Sequence, residues 1–185
     1  LRQVYEKMPK DWRMFTEHKP FEPAFYSSVN QDWGSSLLLA RGTGDRCQCL
    51  VDLGHHLPNA NIEMIVSRLL MEGRLAGFHF NDSKYADDDL TAGSLKPYQL
   101  FLIFVELVEF MEGTHIKNPK LAWMIDASHN VKDPLVDLMQ SLEAIAIAYT
   151  QALLLDRAAL DAAQEANDVE LCQEMLQAAY RTDVR

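Results

Sequence analysis

The chain has 185 residues, 48% of them hydrophobic, which is enough for one domain with a substantial core. Its 17 basic and 27 acidic residues give a net charge of −10, which argues against a nucleic-acid partner because the phosphates would be repelled. No apolar run reaches the ~18 residues of a membrane span and the three cysteines indicate no disulfide framework, so we expect a cytoplasmic protein without a membrane partner.

The first half of the chain alternates predicted strands and helices. Residues 1–8 have apolar positions at helical spacing, residues 12–18 form the first predicted strand, and residues 34–41 form a short helix that ends at Gly42 and Gly44. The second strand covers residues 47–53, and Asn59 or Asn61 caps the next helix, whose apolar stripe ends before Gly73. This order is typical of a parallel α/β sheet.

The second half repeats the same order. Residues 75–80 form the third strand, Pro97 begins a helix that ends at Gly113, and residues 121–125 form the fourth strand. Asp133 and Pro134 begin a long helical region that we expect to reach about Ala166, before a last helix. Four β/α units are half of a (β/α)8 TIM barrel of about 250 residues, whereas an open sheet, the alternative, would leave two strand edges bare.

Acidic residues and histidines follow the ends of all four predicted strands. They are Glu17 and His18, then Asp52, His55 and His56, then His79, and finally Asp126 and His129. Because the carboxyl ends of parallel strands lie on one face, we expect these side chains to converge. The loop after the third strand adds four aspartates, of which Asp87 and Asp89 are spaced to reach one cation, with a solvated acidic loop as the alternative. Carboxylates with imidazoles and no thiolate favour a divalent cation over structural zinc.

Structural explanations compete with function at several neighbouring residues. His18 is expected to pack behind the sheet, and His56 is either a ligand's packed neighbour or part of the site. Asp82 and Asp88 are expected to be solvated or to support the ligands rather than bind a cation themselves. The three tryptophans are assigned to the core, at Trp12, Trp33 and Trp123.

Four stretches and two further aspartates occur together in one order along the chain. They are Glu17-His18-Lys19, Asp52-Leu53-Gly54-His55-His56, His79-Phe80-Asn81-Asp82-Ser83-Lys84-Tyr85 and Asp126-Ala127-Ser128-His129, with Asp87 and Asp89. This pattern resembles the L-rhamnose isomerase family, in particular its bacterial type of broad aldose specificity, which has a xylose-isomerase-like TIM barrel. The resemblance covers essentially all of the chain and implies that residues 1–150 are the carboxyl-terminal half of such a barrel, with residues 151–185 as a helical extension.

The resemblance also implies roles for particular residues. One divalent ion would be held by Glu17, Asp52, His79 and Asp126, and a second by Asp52, His55, Asp87 and Asp89, so that Asp52 bridges the two. Lys19 would contact the oxygen on the first carbon of the substrate, and Ser128 and Asp126 would lie near a water that shuttles a proton. The predicted catalytic residues are therefore Lys19, His55, Asp126 and Ser128, of which the first three also bind substrate. The two ions are expected to be Mn²⁺, with Mg²⁺ or Co²⁺ as alternatives.

The function implied by the resemblance is that of an intramolecular oxidoreductase. It would interconvert L-rhamnose and L-rhamnulose, or other aldoses and ketoses, by a metal-assisted hydride shift, with an enediol route as the chemical alternative. The partner is then a small sugar, and the full-length enzyme is expected to be a homotetramer. Two other readings stay open: a metal-dependent hydrolase or endonuclease on the same barrel, and a half-barrel fragment that is inactive on its own.

Overall fold

The computed structural model describes residues 1–20, 28–85, 88–116, 119–127 and 131–185. In these ranges four strands form one parallel sheet in the order in which they occur in the chain. The strands are β1 (Met14–Glu17), β2 (Cys47–Asp52), β3 (Leu75–Phe80) and β4 (Ala122–Ile125). Parallel pairing places all four carboxyl ends at one edge of the sheet, as the sequence predicts.

Seven helices connect and follow these strands within the described ranges. They are α1 (Arg2–Lys7), α2 (Trp33–Thr43), α3 (Ile62–Met71), α4 (Pro97–Thr114), α5 (Pro134–Leu153), α6 (Arg157–Glu165) and α7 (Val169–Tyr180). Among the described residues, no single helix is long and apolar enough to cross a membrane; α5 and α6 pass that test only as a pair bent by 67°.

The core lies between the sheet and the helices α3 and α4. Strand β2 is buried at five of its six positions, as expected for a central parallel strand that is covered on both faces. Helix α3 buries the predicted apolar stripe, made of Ile62, Ile65, Val66, Leu69 and Leu70. Helix α4 buries Leu100, Phe101, Ile103, Phe104, Val105, Leu107 and Val108. Stacking of Phe80 on Phe104, with ring centroids 5.9 Å apart, joins β3 to α4 and fixes the strand end from which the site is built.

The contact between β3 and β4 depends on one glycine. Gly77 has φ +154°, and a Cβ built on it would lie 2.1 Å from the carbonyl oxygen of Ala122. A side chain at this position would therefore force β4 away from β3. Because Asp126 directly follows β4, Gly77 also fixes the position of a predicted site residue.

Both edges of the sheet are open in the described part of the chain. Strands β1 and β4 each pair with one neighbour, so the parallel α/β architecture is confirmed and barrel closure stays a prediction. The assignment of Trp12 and Trp123 to the core is wrong, because they are 61% and 50% exposed near these edges, whereas Trp33 is half-buried against the core. Helix α5 also has an exposed apolar stripe, consisting of Leu135, Val136, Leu138, Met139, Leu142 and Leu153.

Two helix ends differ from the prediction. Helix α4 passes through Gly113 and ends at His115, which has a left-handed backbone with φ 58°. The long helix predicted to reach Ala166 is instead two helices, because the Asp156 carboxylate accepts the N–H of Ala159 and begins α6 after a break. Apolar residues occur on both sides of that break, which is why hydrophobic spacing alone does not reveal it.

Candidate metal centre

Four strands bring four ionisable side chains to the carboxyl edge of the sheet. Glu17 ends β1, Asp52 ends β2, His79 is the penultimate residue of β3, and Asp126 follows β4. The strand register pairs Asp52 with His79, which sets these residues side by side. The His79 Nδ1 lies 3.0 Å from Glu17 Oε1, 3.3 Å from Asp52 Oδ2 and 3.4 Å from Asp126 Oδ2. One imidazole thus meets a carboxylate from each of the other three strands.

A fifth residue, His55, reaches the same cluster from the loop after β2. Its Nδ1 lies 3.3 Å from Glu17 Oε1 and 3.1 Å from the backbone carbonyl of His18, and its Nε2 lies 3.9 Å from Asp52 Oδ2. The five residues form two overlapping groups, Glu17/Asp52/His55 and Asp52/His79/Asp126, in each of which the potential ligand atoms lie within 4.8 Å of one another. Asp52 is the residue common to both groups.

The two oxygens of Asp52 have different surroundings. The residue is fully buried, and its Oδ1 accepts the backbone N–H of Gly54 at 2.8 Å and the Asn81 Nδ2 at 2.9 Å. Its Oδ2 is also buried, yet it makes no hydrogen bond within the described part of the chain. A buried anionic oxygen without a donor is costly unless a cation neutralises it. The carboxylate and imidazole atoms around Asp52 Oδ2 therefore fit a divalent cation such as Mn²⁺, Mg²⁺ or Co²⁺.

Charge around the cluster shifts the pKa of its ionisable groups. Contact with the Asp52 carboxylate, reinforced by the charges of Glu17 and Asp126, raises the pKa of His79 to about 9 despite its partial burial. For Glu17, desolvation acts to raise the pKa, but contacts with His55 and His79 outweigh it and the pKa is lowered. The cluster is thus a strongly anionic site in which His79 binds a proton when no metal is present.

Two further histidines lie next to the cluster in a different environment. His18 and His56 are buried and meet edge to face, with ring centroids 4.6 Å apart. Burial lowers the pKa of His18 to about 4 and that of His56 to about 3, so both are neutral at pH 7. His18 is packed, as predicted, and its position behind the sheet stays a prediction. Both rings also line a cavity of about 550 Å³ with Asp32 and Trp33.

The remaining predicted site residues are placed as follows. Asp87 and Ser128 lie outside the described residues. Lys19 follows Glu17 by two residues and is half-buried, and its backbone N–H donates to the carbonyl of Asn30 at 2.9 Å. Asp89 has a left-handed backbone with φ 46° and belongs to neither ligand group. The roles assigned to these four residues stay predictions.

The acidic loop after β3 is organised by one aspartate that is not solvated. Asp82 is buried, and its carboxylate accepts the backbone N–H groups of Ser83, Leu95 and Lys96. It therefore holds the loop against the start of α4, so of the two predicted alternatives the solvated side chain is wrong for Asp82. Asp88 accepts two backbone N–H groups within the loop itself, from Lys84 and Tyr85.

The sequence motifs predict no role for Asn81, although it lies in the stretch from His79 to Tyr85 that belongs to the predicted site. Asn81 follows His79 by two residues, so strand alternation directs both side chains to the same face. This two-residue spacing is the sequence feature that could have placed Asn81 in the site. A neutral amide carries no metal-binding signature of its own, and only the structure reveals its hydrogen bond to Asp52.

Comparison with known proteins finds two close relatives. The chain is 57% identical over 185 residues to a protein of Mesorhizobium japonicum named as a probable sugar isomerase, and 55% identical over 184 residues to one of Rhizobium meliloti with the same description. Each match covers all of this chain but only 43% of the relative, so the chain spans less than half the length of the curated relatives it matches. No protein-family model matches it. The chain is thus homologous to part of each of these two proteins.

Proposed function

We infer from this homology and from the carboxylate–histidine cluster that the chain carries the metal-binding part of a sugar isomerase. The reaction is the interconversion of an aldose and a ketose, and L-rhamnose with L-rhamnulose is the first pair to test. The observation that carries the proposal is the cluster of Glu17, Asp52, His55, His79 and Asp126 at the carboxyl ends of four parallel strands. The descriptions of the relatives support the reaction class, and the resemblance of the sequence motifs supports the substrate.

The residues of the cluster suit a pair of divalent cations. When bound, such cations supply Lewis-acid stabilisation of negative charge on two adjacent sugar oxygens. Glu17, Asp52, His79 and Asp126 would hold one ion, and Asp52 with His55, Asp87 and Asp89 would hold the other. Mn²⁺ is the proposed metal, with Mg²⁺ or Co²⁺ as alternatives, because the donors are carboxylates and imidazoles without a thiolate.

The side chains of the cluster differ in their exposed fraction. The buried ones can hold the cations, and the more exposed ones can also contact a substrate. The Asp52 side chain is fully buried, the side chains of His55 and His79 are 11% and 21% exposed, and that of Asp126 is 52% exposed. Asp126 is therefore the carboxylate of the cluster most accessible to a sugar, in line with its proposed part in moving a proton between the two oxygens, together with Ser128. Lys19 would stabilise the oxygen on the first carbon through its ammonium group.

The rest of the enzyme is proposed to close a (β/α)8 barrel and to assemble as a homotetramer. The open edges of β1 and β4 and the exposed apolar stripe of α5 support this proposal, because exposed edges and apolar faces are normally covered. Beside the stripe, a groove of about 380 Å³ is lined by Phe104, Trp123, Leu142 and Tyr149. On its own, the 185-residue chain is expected to self-associate, bind divalent ions weakly and show no measurable isomerase activity.

The test is to assay ketose formation with the metal-depleted chain, alone and together with the remaining polypeptide of a relative, with Mn²⁺ and L-rhamnose. Ketose should form only when both polypeptides and Mn²⁺ are present, and Asp52→Asn should abolish it. L-rhamnose deuterated at its second carbon separates the two routes, since a hydride shift keeps the label on the first carbon and an enediol loses it to solvent. Absence of ketose from any aldose in the assembled protein would refute the proposed activity. Turnover by a monodisperse chain alone would refute its dependence on the remaining polypeptide.

A further inference from the structure

Asn81 is bonded to the residue common to both ligand groups. It follows the last residue of β3 and is 1% exposed, and its Nδ2 donates to Asp52 Oδ1 at 2.9 Å. The backbone N–H of Gly54 donates to the same oxygen at 2.8 Å. We propose that Asn81 is a positioning residue that, with this N–H group, holds Asp52 Oδ1 on the protein and leaves Oδ2 facing the cluster as the oxygen that would bind the cations. The inference rests on the proposed function, because it needs cations to be bound.

The two oxygens of the Asp52 carboxylate face different partners. Its Oδ2 faces both imidazoles, 3.3 Å from His79 Nδ1 and 3.9 Å from His55 Nε2, while Oδ1 faces two N–H donors. Rotation of the carboxylate would break both charge-assisted hydrogen bonds in a buried site, which is unfavourable.

The cost of burying Asn81 supports a specific role for this amide. Its Oδ1 is buried and makes no hydrogen bond among the described residues, which is unfavourable. The hydrogen bond from Nδ2 to Asp52 is therefore the interaction that offsets the burial of this side chain. The amide must present its nitrogen to Asp52, because its oxygen would repel the carboxylate. A neutral amide also donates to Asp52 without adding the negative charge that an aspartate would bring.

Gly54 indicates how closely this arrangement is packed. A Cβ built on Gly54 would lie 3.1 Å from Asn81 Oδ1 and 3.4 Å from Asp52 Oδ1. A larger residue would therefore press on the amide and on the carboxylate together. The loop after β2, the end of β2 and the residue after β3 meet here, and an added methyl group would require Asn81 to shift by a few tenths of an ångström.

The test titrates Mn²⁺ alone into the metal-depleted protein assembled with the remaining polypeptide of a relative, and follows binding by electron paramagnetic resonance. The wild type should bind two ions with an exchange-coupled spectrum, as expected when one carboxylate contacts both. Asn81→Ala should weaken Mn²⁺ binding about 10–100-fold, as for other residues that orient metal ligands, and should give an uncoupled spectrum. Asn61→Ala is the matched control, because Asn61 accepts the N–H of Met64 at the start of α3 and does not bond to Asp52.

The outcomes separate this inference from the proposed function. A wild type that binds no Mn²⁺ would overturn the proposed function and the role of Asn81 with it. Wild-type affinity and coupling in folded Asn81→Ala would overturn the role of Asn81 alone. If Asn81→Ala does not fold, Asn81→Leu, which fills a similar volume without a donor, carries the test. If neither variant folds, Asn81 serves the stability of the fold and the positioning role is wrong.

Discussion

His79 and the pair formed by His18 and His56 lie near one another, and their surroundings shift their pKa values in opposite directions. His79 faces three carboxylates at the carboxyl edge of the sheet, and its pKa is raised to about 9. His18 and His56 pack against each other, and burial lowers their pKa values to about 4 and about 3. The comparison teaches that a histidine near a strand end is not by itself a ligand: the carboxylates beside it decide.

The largest effect is expected at Asp52, which belongs to both ligand groups. Asp52→Asn removes the anionic oxygen that divalent ions prefer, so it should lose both Mn²⁺ sites and weaken binding by more than the ~100-fold seen when a residue that only orients a ligand is lost. Asp89→Asn should lose mainly the second site. Mn²⁺ titration of each variant measures this, and equal stoichiometry in the two would contradict the shared role of Asp52.

A slightly smaller effect, on turnover, is expected at Lys19, whose ammonium group is proposed to stabilise a substrate oxygen. Lys19→Met should lower turnover of the assembled enzyme by on the order of 10²-fold, because one charge-stabilising donor is lost. Lys19 should act through its charge and hydrogen bonds, since the metals already polarise the carbonyl. Borohydride treatment with substrate should leave no covalent adduct, and an adduct trapped at Lys19 would show that it forms a Schiff base instead.

The buried pair His18 and His56 should make the fold sensitive to acid. Their folded-state pKa values lie below the unfolded value of 6.5, so their contribution to stability is complete above pH 6.5 and is lost as the pH falls toward about 4. The free energy of unfolding should fall by about 6 kcal/mol over this range, because two residues contribute and each pKa unit is worth about 1.4 kcal/mol. Urea unfolding at several pH values measures the slope. His56→Leu should reduce it, and His115→Asn, at a helix end, is the control; an unchanged slope in His56→Leu would count against the assignment.

His79 should give the opposite slope in the metal-free protein. Its folded-state pKa of about 9 exceeds the unfolded value of 6.5, so its contribution is complete below pH 6.5 and is lost as the pH rises toward 9. Because its side chain is partly exposed, we expect a loss of only about 1 kcal/mol. Urea unfolding in the presence of a chelator should show this loss in the wild type and not in His79→Gln. The same alkaline slope in both proteins would contradict the charge assignment.

Sequence patterns predict the strands and the approach of their ends well, because these features follow from the periodic spacing of apolar residues. Strand β3 has the predicted bounds, and the apolar stripe of α3 is confirmed. Parallel pairing then brings Glu17, Asp52 and His79 together, since the carboxyl ends of parallel strands share one edge.

Other features depend on contacts that no pattern in the sequence encodes. The exposure of Trp123 depends on what covers the edge beside β4, so an aromatic residue in an apolar strand was wrongly assigned to the core. The break between α5 and α6 separates two apolar stretches and depends on the Asp156 cap. The hydrogen bond of Asn81 to Asp52 joins residues from two strands, and a neutral amide gives no warning of it.

The proposed sharing of Asp52 by two divalent cations is tested most directly by crystals of the assembled protein, soaked in Mn²⁺ and measured at the manganese absorption edge. We expect two anomalous peaks beside Asp52 Oδ2, one near His79 and Asp126 and the other near His55. A single peak, or peaks away from Asp52, would contradict it.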